Sequence, residues 1–174
     1  MKVSSAVQAP LPALQDVALP ANKEAVGSLR RKLTSLTLAP QAGDATKPLA
    51  AQVSGKRYVF AANDAKLESI TVEFGADGAL IRARQDGRDT RIPAGRAWQR
   101  GSTLLTLGIP EKVAGTGAWT ADDTFTAKLA AFETPFVQTV ALQWKGEELF
   151  VDTEYNVAFG ERKRPRLVGK LESK

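Results

Sequence analysis

The chain has 174 residues, of which 43% are hydrophobic and 25% are charged, and its formal net charge is +5. This length and composition are typical of one soluble globular domain. The chain contains no cysteine and no histidine, which excludes disulfides and the Ser-His-Asp and Cys-His groups of hydrolases. Carboxylates alone rarely bind zinc, so we predict no metal site and no cofactor.

The first fifty residues are predicted to form a linker and a docking helix. Residues 1–21 contain several prolines, which indicates an extended segment. Asn22 is a suitable N-cap, and Glu24 suits the first turn of a helix because the helix dipole favours an anion there. We predict a helix over residues 22–38 that packs on a neighbouring surface through one apolar stripe: Val26, Leu29, Leu33 and Leu36.

Residues 51–174 are predicted to form an all-β domain. Alternation of apolar and polar residues predicts strands at 53–60, 69–74, 80–85 and 89–92, with hairpin turns at 76–78 and 86–87. The same alternation predicts a second β-meander, with strands at 125–133, 136–144 and 149–157. Thr134–Pro135 and Lys145–Glu147 are the breaks between these strands.

The connection between the two meanders, Pro93–Gly117, is less regular. We predict one or two strands within it, around Gly101–Leu107 and Val113–Thr120, and a closing strand in the tail Pro165–Leu171. The total is about eight antiparallel strands after one N-terminal helix. That number is enough to curl into a barrel or a strongly twisted sheet.

The many arginines do not by themselves indicate a nucleic-acid site. Six of them fall between positions 82 and 100, but a sheet that binds single strands also exposes aromatic side chains for base stacking. Phe74, Phe125, Phe136 and Trp144 are instead predicted on apolar faces. We therefore interpret the arginines as a solvated outer face and predict no nucleic-acid partner.

No catalytic group is recognisable in this chain. A serine-lysine hydrolase needs Ser-x-x-Lys, whereas Ser28 and Ser54 are each followed three residues later by an arginine, which stays protonated. No apolar run approaches the roughly 18 residues of a membrane span, and residues 1–10 lack the apolar core of a signal peptide. We predict a chain that is not an enzyme by itself, with no membrane span and its compartment left open.

A set of ordered motifs resembles one known protein module. The motifs are Ser54–Phe60, Trp98 with Gly101, Gly117–Phe125, Glu133–Pro135 and Thr139–Val140. They resemble the C-terminal region of bacterial serine hydrolases of the class C β-lactamase and penicillin-binding-protein type, over about residues 29–171. The resemblance implies an all-β, lipocalin-like accessory domain, similar in role to the barrel domains of D-aminopeptidases. The catalytic motifs of that family belong to another domain, so no catalytic residue is carried over.

Two functional hypotheses follow. The first is a structural or regulatory domain that packs on the catalytic serine hydrolase domain of a parent chain, with Arg96, Trp98 and Arg100 as the candidate interface, since tryptophan and arginine are enriched at interface hot spots. Trp98 as a core residue is the competing interpretation. The second is a lipocalin-like module that binds a small apolar ligand. A continuous cavity would favour the second hypothesis, and a filled interior the first.

Overall fold

The computed structural model describes residues 20–103 and 111–173, and the chain divides into two units, Met1–Leu38 and Ala39–Lys174. Most of the predicted linker lies outside the described residues. The first unit contains helix α1, Lys23–Ser35, and Asn22 caps it as predicted because its Oδ1 accepts from the Ala25 N–H at 2.9 Å. None of the helix residues is buried, and Leu29 and Leu33 are more than half exposed. The docking role of α1 stays a prediction.

The second unit begins with a short helix where the sequence pattern predicted part of a strand. Helix α2 spans Pro48–Val53, and strand β1 covers only Arg57–Phe60. The prediction of a strand from residue 53 is therefore wrong at its start. Proline at the first helical position has its φ preset for a helix, and the leucine, alanines and glutamine that follow are good helix formers.

Ten strands in the described part of the chain form one sheet in the order β4-β3-β2-β1-β10-β9-β8-β7-β6-β5. After β1 they are β2 Leu67–Gly75, β3 Gly78–Gln85, β4 Arg88–Gly95, β5 Gln99–Thr103, β6 Glu111–Ala121, β7 Thr124–Ala131, β8 Val137–Lys145, β9 Glu148–Tyr155 and β10 Leu167–Leu171. The hairpins between β2, β3 and β4 and the meander from β7 to β9 confirm the predicted strands. The second half of the strand predicted at 101–107 falls outside the described residues.

The sheet closes into a barrel at two seams. Strand β10 pairs antiparallel with both β1 and β9, so the tail joins the two meanders as predicted. The second seam is a parallel pairing of β4 with β6, between Gly95 and Thr116. The closed ring has nine strands, and β5 lies beside the first half of β6. The all-β, lipocalin-like fold class is confirmed, with this parallel pairing as an addition that strand alternation does not predict.

The β4–β6 seam depends on close backbone approach. A side chain at Gly115 of β6 would collide with the backbone oxygen of Pro93 of β4. Beside it, the Thr116 hydroxyl donates a hydrogen bond to the Gly95 carbonyl at 2.8 Å, and Thr116 is fully buried. One glycine contact and one buried hydrogen bond therefore hold this part of the barrel closed.

Burial alternates between the two faces along β3, β8 and the first half of β9, whereas much of β6 and β7 is buried on both faces. The buried interior side chains form one apolar core that includes Tyr58, Ile70, Val72, Ile81, Ile92, Trp119, Phe125, Leu129, Leu142, Trp144, Leu149 and Val151. In the described part of the chain, no helix is long and apolar enough to cross a membrane.

Replacing Thr116 with valine tests the second seam. The substitution removes the hydroxyl and leaves the Gly95 carbonyl without that donor, which we expect to cost about 1–3 kcal/mol of unfolding free energy. Chemical denaturation followed by circular dichroism measures this cost. Thr139 of β8 is the matched control because it is partly exposed and makes no side-chain hydrogen bond among the described residues. Equal stability losses for Thr116→Val and Thr139→Val would contradict the role of the seam.

Candidate functional site

One end of the barrel interior is filled by four aromatic side chains, Phe74, Trp119, Phe125 and Trp144, which we call the aromatic cluster. The ring centroids of its contacting pairs lie 5.0–6.0 Å apart, in tilted and edge-to-face arrangements. Such pairs stabilise a core beyond their buried area. The cluster makes this end of the barrel a packed core.

The register of the strands brings the cluster together. Trp119 of β6 is opposite Phe125 of β7, and Trp144 lies on the same face of β8 as Leu142, the partner of Phe125. Gly117 makes room for the Phe125 ring, because a side chain there would collide with that ring. The aromatic packing therefore depends on the absence of a side chain at Gly117 of β6.

The segment before β1 covers this end of the barrel. Asp44 and Trp119 exchange both backbone hydrogen bonds, at 2.8 and 3.0 Å. Ala50 and Val53 of α2 are buried in the same core as the aromatic cluster. Access for a ligand is therefore restricted at this end.

Two buried indole donors lie in the aromatic cluster. Neither Nε1–H, of Trp119 or of Trp144, has an acceptor at standard hydrogen-bond geometry among the described residues. The Trp144 indole lies near the Tyr58 hydroxyl: burial raises the pKa of that phenol, and weak hydrogen bonding with Trp144 partly opposes the rise. Trp119 is therefore the indole that lacks even a weak acceptor in the described part of the chain. Buried polar groups without partners are uncommon in native proteins, and each needs an explanation.

The interior becomes polar toward the other end of the barrel. Gln138 of β8 is opposite both Leu129 of β7 and Tyr155 of β9, so its side chain continues the interior face. Glu111 precedes Val113 by two positions on β6 and therefore lies on that face too. We call Glu111, Gln138 and Tyr155 the polar cluster.

The polar cluster contains two buried acceptors without partners. Gln138 is 5% exposed, and its Nε2 donates to the Tyr155 hydroxyl at 3.2 Å. Its Oε1 and the Oε2 of Glu111 are both buried and accept no hydrogen bond from any residue that the structure describes. The two acceptors can therefore receive hydrogen-bond donors beyond those that the described residues supply.

The electrostatics of Tyr155 reflect the same environment. Burial raises the pKa of its hydroxyl, the Arg164 guanidinium opposes this rise, and the Glu111 carboxylate adds to it. The Arg164 guanidinium carbon lies 5.3 Å from the centre of the Tyr155 ring. Glu111 and Arg164 therefore both act on Tyr155 at this end of the barrel.

The polar cluster contains no serine, and neither of its acceptors is paired with a nucleophile. Among residues 20–103 and 111–173, no group of three or more acidic side chains is placed to hold a metal ion.

The predicted interface residues lie together at the β4–β5 connection. Arg96 is exposed, and its backbone N–H donates to the Asp77 carbonyl at 3.0 Å. Arg100 is also exposed and lies 5.6 Å from the ring centre of Phe132, which is 48% exposed. Trp98 is half-buried. This burial does not decide between an interface residue and a core residue. The interface itself stays a prediction.

The polar cluster was not predicted from the sequence, although one of its residues gave a signal. Gln138 occupies the interior phase of a strand whose next interior positions are Val140, Leu142 and Trp144. A polar residue at an apolar position of this kind needs a partner or a function. Glu111 could not be recognised in the same way. It lies at the start of β6, within the irregular connection Pro93–Gly117, where no alternation assigns it to the interior.

Comparisons with known proteins bear on the fold. A scan against protein-family models gives no match, and a search of curated proteins gives none either. Among solved structures, the chain is similar to "As-p18, an extracellular fatty acid binding protein", with a TM-score of 0.51 and 12% sequence identity. The alignment covers 72% of this chain and 99% of that one. At this identity the similarity supports the barrel fold alone.

Gly117→Ala tests the packing of the aromatic cluster. The added methyl group would push the Phe125 ring away from β6, and overpacking of this kind costs about 1–3 kcal/mol. Gly160→Ala is the control because a side chain there meets open space. We expect the melting temperature to fall only for Gly117→Ala, together with the near-ultraviolet circular dichroism of the tryptophans. A drop of equal size for both variants would contradict this packing.

Gln138→Leu tests whether the unpaired acceptor costs stability. Leucine keeps a similar size and removes a buried carbonyl that has no donor among the described residues, but it also removes the 3.2 Å bond from Nε2 to the Tyr155 hydroxyl. The two effects oppose each other, so we expect the unfolding free energy to change by less than about 1 kcal/mol. Gln143 of the same strand is the contrast, since its Nε2 donates to Asp123 at 2.8 Å, and Gln143→Leu loses that bond. Denaturant midpoints measure both effects. A clear loss for Gln138→Leu would show that its acceptor is satisfied in solution.

Proposed function

We propose that the barrel is a lipocalin-like binding module that takes a small, mainly apolar ligand with one hydrogen-bond donor group. The observation that carries this proposal is that two buried acceptors, Gln138 Oε1 and Glu111 Oε2, receive no hydrogen bond from the described residues. A ligand donor there would remove the cost of burying polar atoms without partners. A primary amine fits best, because it also complements the Glu111 carboxylate.

The barrel fold supports this proposal. Small barrels either hold one small ligand or are filled by their own side chains, and the similar protein As-p18 is described as a fatty acid binding protein. In this chain the aromatic cluster fills the end that α2 covers. The ligand would therefore lie toward the polar cluster, with its apolar part against Leu129, Val140 and Val151.

Three ten-carbon compounds with different head groups test the proposal: decylamine, 1-decanol and decanoate. They share one apolar chain, but decylamine supplies donors and a positive charge, whereas decanoate is an acceptor only. We expect binding in the order decylamine, decanol, decanoate by isothermal titration calorimetry below micelle-forming concentrations. Binding of none of the three, or tightest binding of decanoate, would contradict the proposal.

Variants locate the binding in the barrel interior. Gln138→Leu should weaken decylamine binding about tenfold, as expected for one lost hydrogen bond to a charged group. Gln143→Leu, on the outer face of the same strand, should leave the affinity within about twofold. Equal effects of the two variants would place the ligand outside the barrel interior.

The second candidate function is the accessory domain of a serine hydrolase. The aromatic filling of the barrel and the exposed Arg96 and Arg100 beside half-buried Trp98 favour it. We expect hydrogen exchange at residues 96–100 to slow when this chain is joined to such a catalytic domain. Equal exchange in the isolated and the joined chain would contradict an interface there.

A further inference from the structure

The outer face of the barrel carries a groove that the proposed interior site does not use. The groove has a volume of about 440 Å³ and lies over strands β1 to β4, a size that suits a small molecule. Nine residues line it: Arg57, Ser69, Thr71, Arg82, Ala83, Arg84, Asp89, Thr90 and Arg91. Four of the nine are arginines. Asp89 is the one carboxylate in this lining, so guanidinium groups outnumber it and favour an anionic ligand.

The register places three of these arginines in a single row across the sheet. Arg57 is opposite Thr71, and Thr71 is opposite Arg82. Arg82 is in turn opposite Arg91. Like charges directly opposite one another on neighbouring strands are destabilising, and an anion bound over the row would relieve this repulsion.

Acidic side chains hold three of the arginines while leaving donors free. Arg82 uses Nε and Nη2 on Glu73, at 2.8 and 3.1 Å. Arg57 uses Nη1 on Glu172 at 2.7 Å. Each guanidinium has five N–H donors, so Nη1 of Arg82 and the Nε and Nη2 groups of Arg57 are still available.

Arg84 is held in the same way. Its Nε donates to Glu68 at 3.0 Å and its Nη1 to Asp89 at 3.0 Å, which leaves Nη2 free. Side chains fixed by ion pairs lose less rotamer freedom when they bind a ligand. The acidic partners therefore orient these guanidinium groups as well as offsetting their charge.

Arg91 differs from the other three arginines of the groove because no described carboxylate forms an ion pair with it. It is exposed, and its side chain makes no ion pair or hydrogen bond with the residues that the structure describes. The pKa of the Glu73 carboxylate is lowered most by its hydrogen bond from Arg82. The positive charges of Arg82 and Arg91 lower it further. Arg91 is free to bind an incoming anion.

Hydroxyl groups add neutral donors to the groove. Ser69 is 6% exposed although it lies on the outer face of β2, so it lies deep in the groove among longer side chains. Thr71 lies in the arginine row. A phosphate group offers three acceptor oxygens, which match guanidinium and hydroxyl donors that converge from several strands.

We propose that this groove binds the phosphate group of a small phosphorylated molecule. Arg91 supplies the strongest contact, because its side chain makes no ion pair with the residues that the structure describes. Arg57, Arg82 and Arg84 supply oriented N–H donors. A dicarboxylate of similar charge is the weaker ligand, since planar carboxylates use fewer converging donors than a tetrahedral phosphate.

Titrations with inorganic phosphate, glycerol 2-phosphate and succinate, at constant ionic strength, test this proposal on the whole chain. Two-dimensional NMR of the backbone amides reports both affinity and location. We expect the two phosphates to bind more tightly than succinate and to shift the amides of residues 69–71, 82–84 and 89–91. The tighter of the two phosphates shows whether the free ion or an ester is preferred. No saturable shift in the groove, or tighter binding of succinate, overturns the proposal.

Variants separate a built site from general attraction to a basic chain. Arg91→Gln should weaken phosphate binding about tenfold, and Arg91→Lys should weaken it less because it keeps the charge. Arg88→Gln is the control, since it removes the same charge from the same strand outside the groove, and it should change affinity less than about twofold. Arg91→Gln should also keep its melting temperature, because it relieves repulsion from Arg82. Equal losses for Arg91→Gln and Arg88→Gln overturn the proposal.

Discussion

The barrel depends on one constraint, the two glycines of β6, Gly115 and Gly117, that flank Thr116. Gly115 lets β4 approach closely enough for Thr116 to bond the Gly95 carbonyl, and that bond closes the ring. Gly117 lets the Phe125 ring lie against β6 and complete the aromatic cluster. The same few residues therefore set both the circumference of the barrel and the filling of its covered end. A side chain at either glycine would force strands or rings apart in a densely packed interior.

The two ends of the interior differ in chemistry. The end that α2 covers is apolar and filled by the aromatic cluster. At the other end, the buried Oε1 of Gln138 and Oε2 of Glu111 receive no hydrogen bond from the described residues, and Gln138 lies against the Tyr155 phenol. Unpaired acceptors are costly in an apolar interior, and natural proteins retain such costs mainly where function requires them. This contrast is the reason to look for a ligand at the polar cluster.

The fold was largely predictable because its signals are local. Alternation placed β2, β3, β7, β8 and β9 on the correct faces, and the turn residues marked the hairpins between them. The β4–β6 seam was not predictable. It is one parallel pair between Gly95 and Thr116, and neither segment has a sequence pattern that indicates a pairing partner. Helix α2 was missed because its six residues are too few to show a helical period, although Pro48 marks its start.

The functional residues were harder to predict than the fold. Gln138 could have been found as a polar residue in the interior phase of β8, whereas Glu111 could not, because its strand begins inside an irregular connection. The arginines of the outer face were visible in the sequence, but their convergence on one groove comes from cross-strand register, which places Arg57, Arg82 and Arg91 in a row. Sequence spacing alone does not contain that register.

The central claim is that the polar cluster receives the donor group of an interior ligand. A crystal structure of the chain grown with decylamine tests it most directly. We expect the amine nitrogen within hydrogen-bond distance, about 2.7–3.2 Å, of Gln138 Oε1 and the Glu111 carboxylate, with the alkyl chain directed toward the aromatic cluster. Decylamine bound only on the outer surface, with the interior otherwise unchanged, would contradict the account.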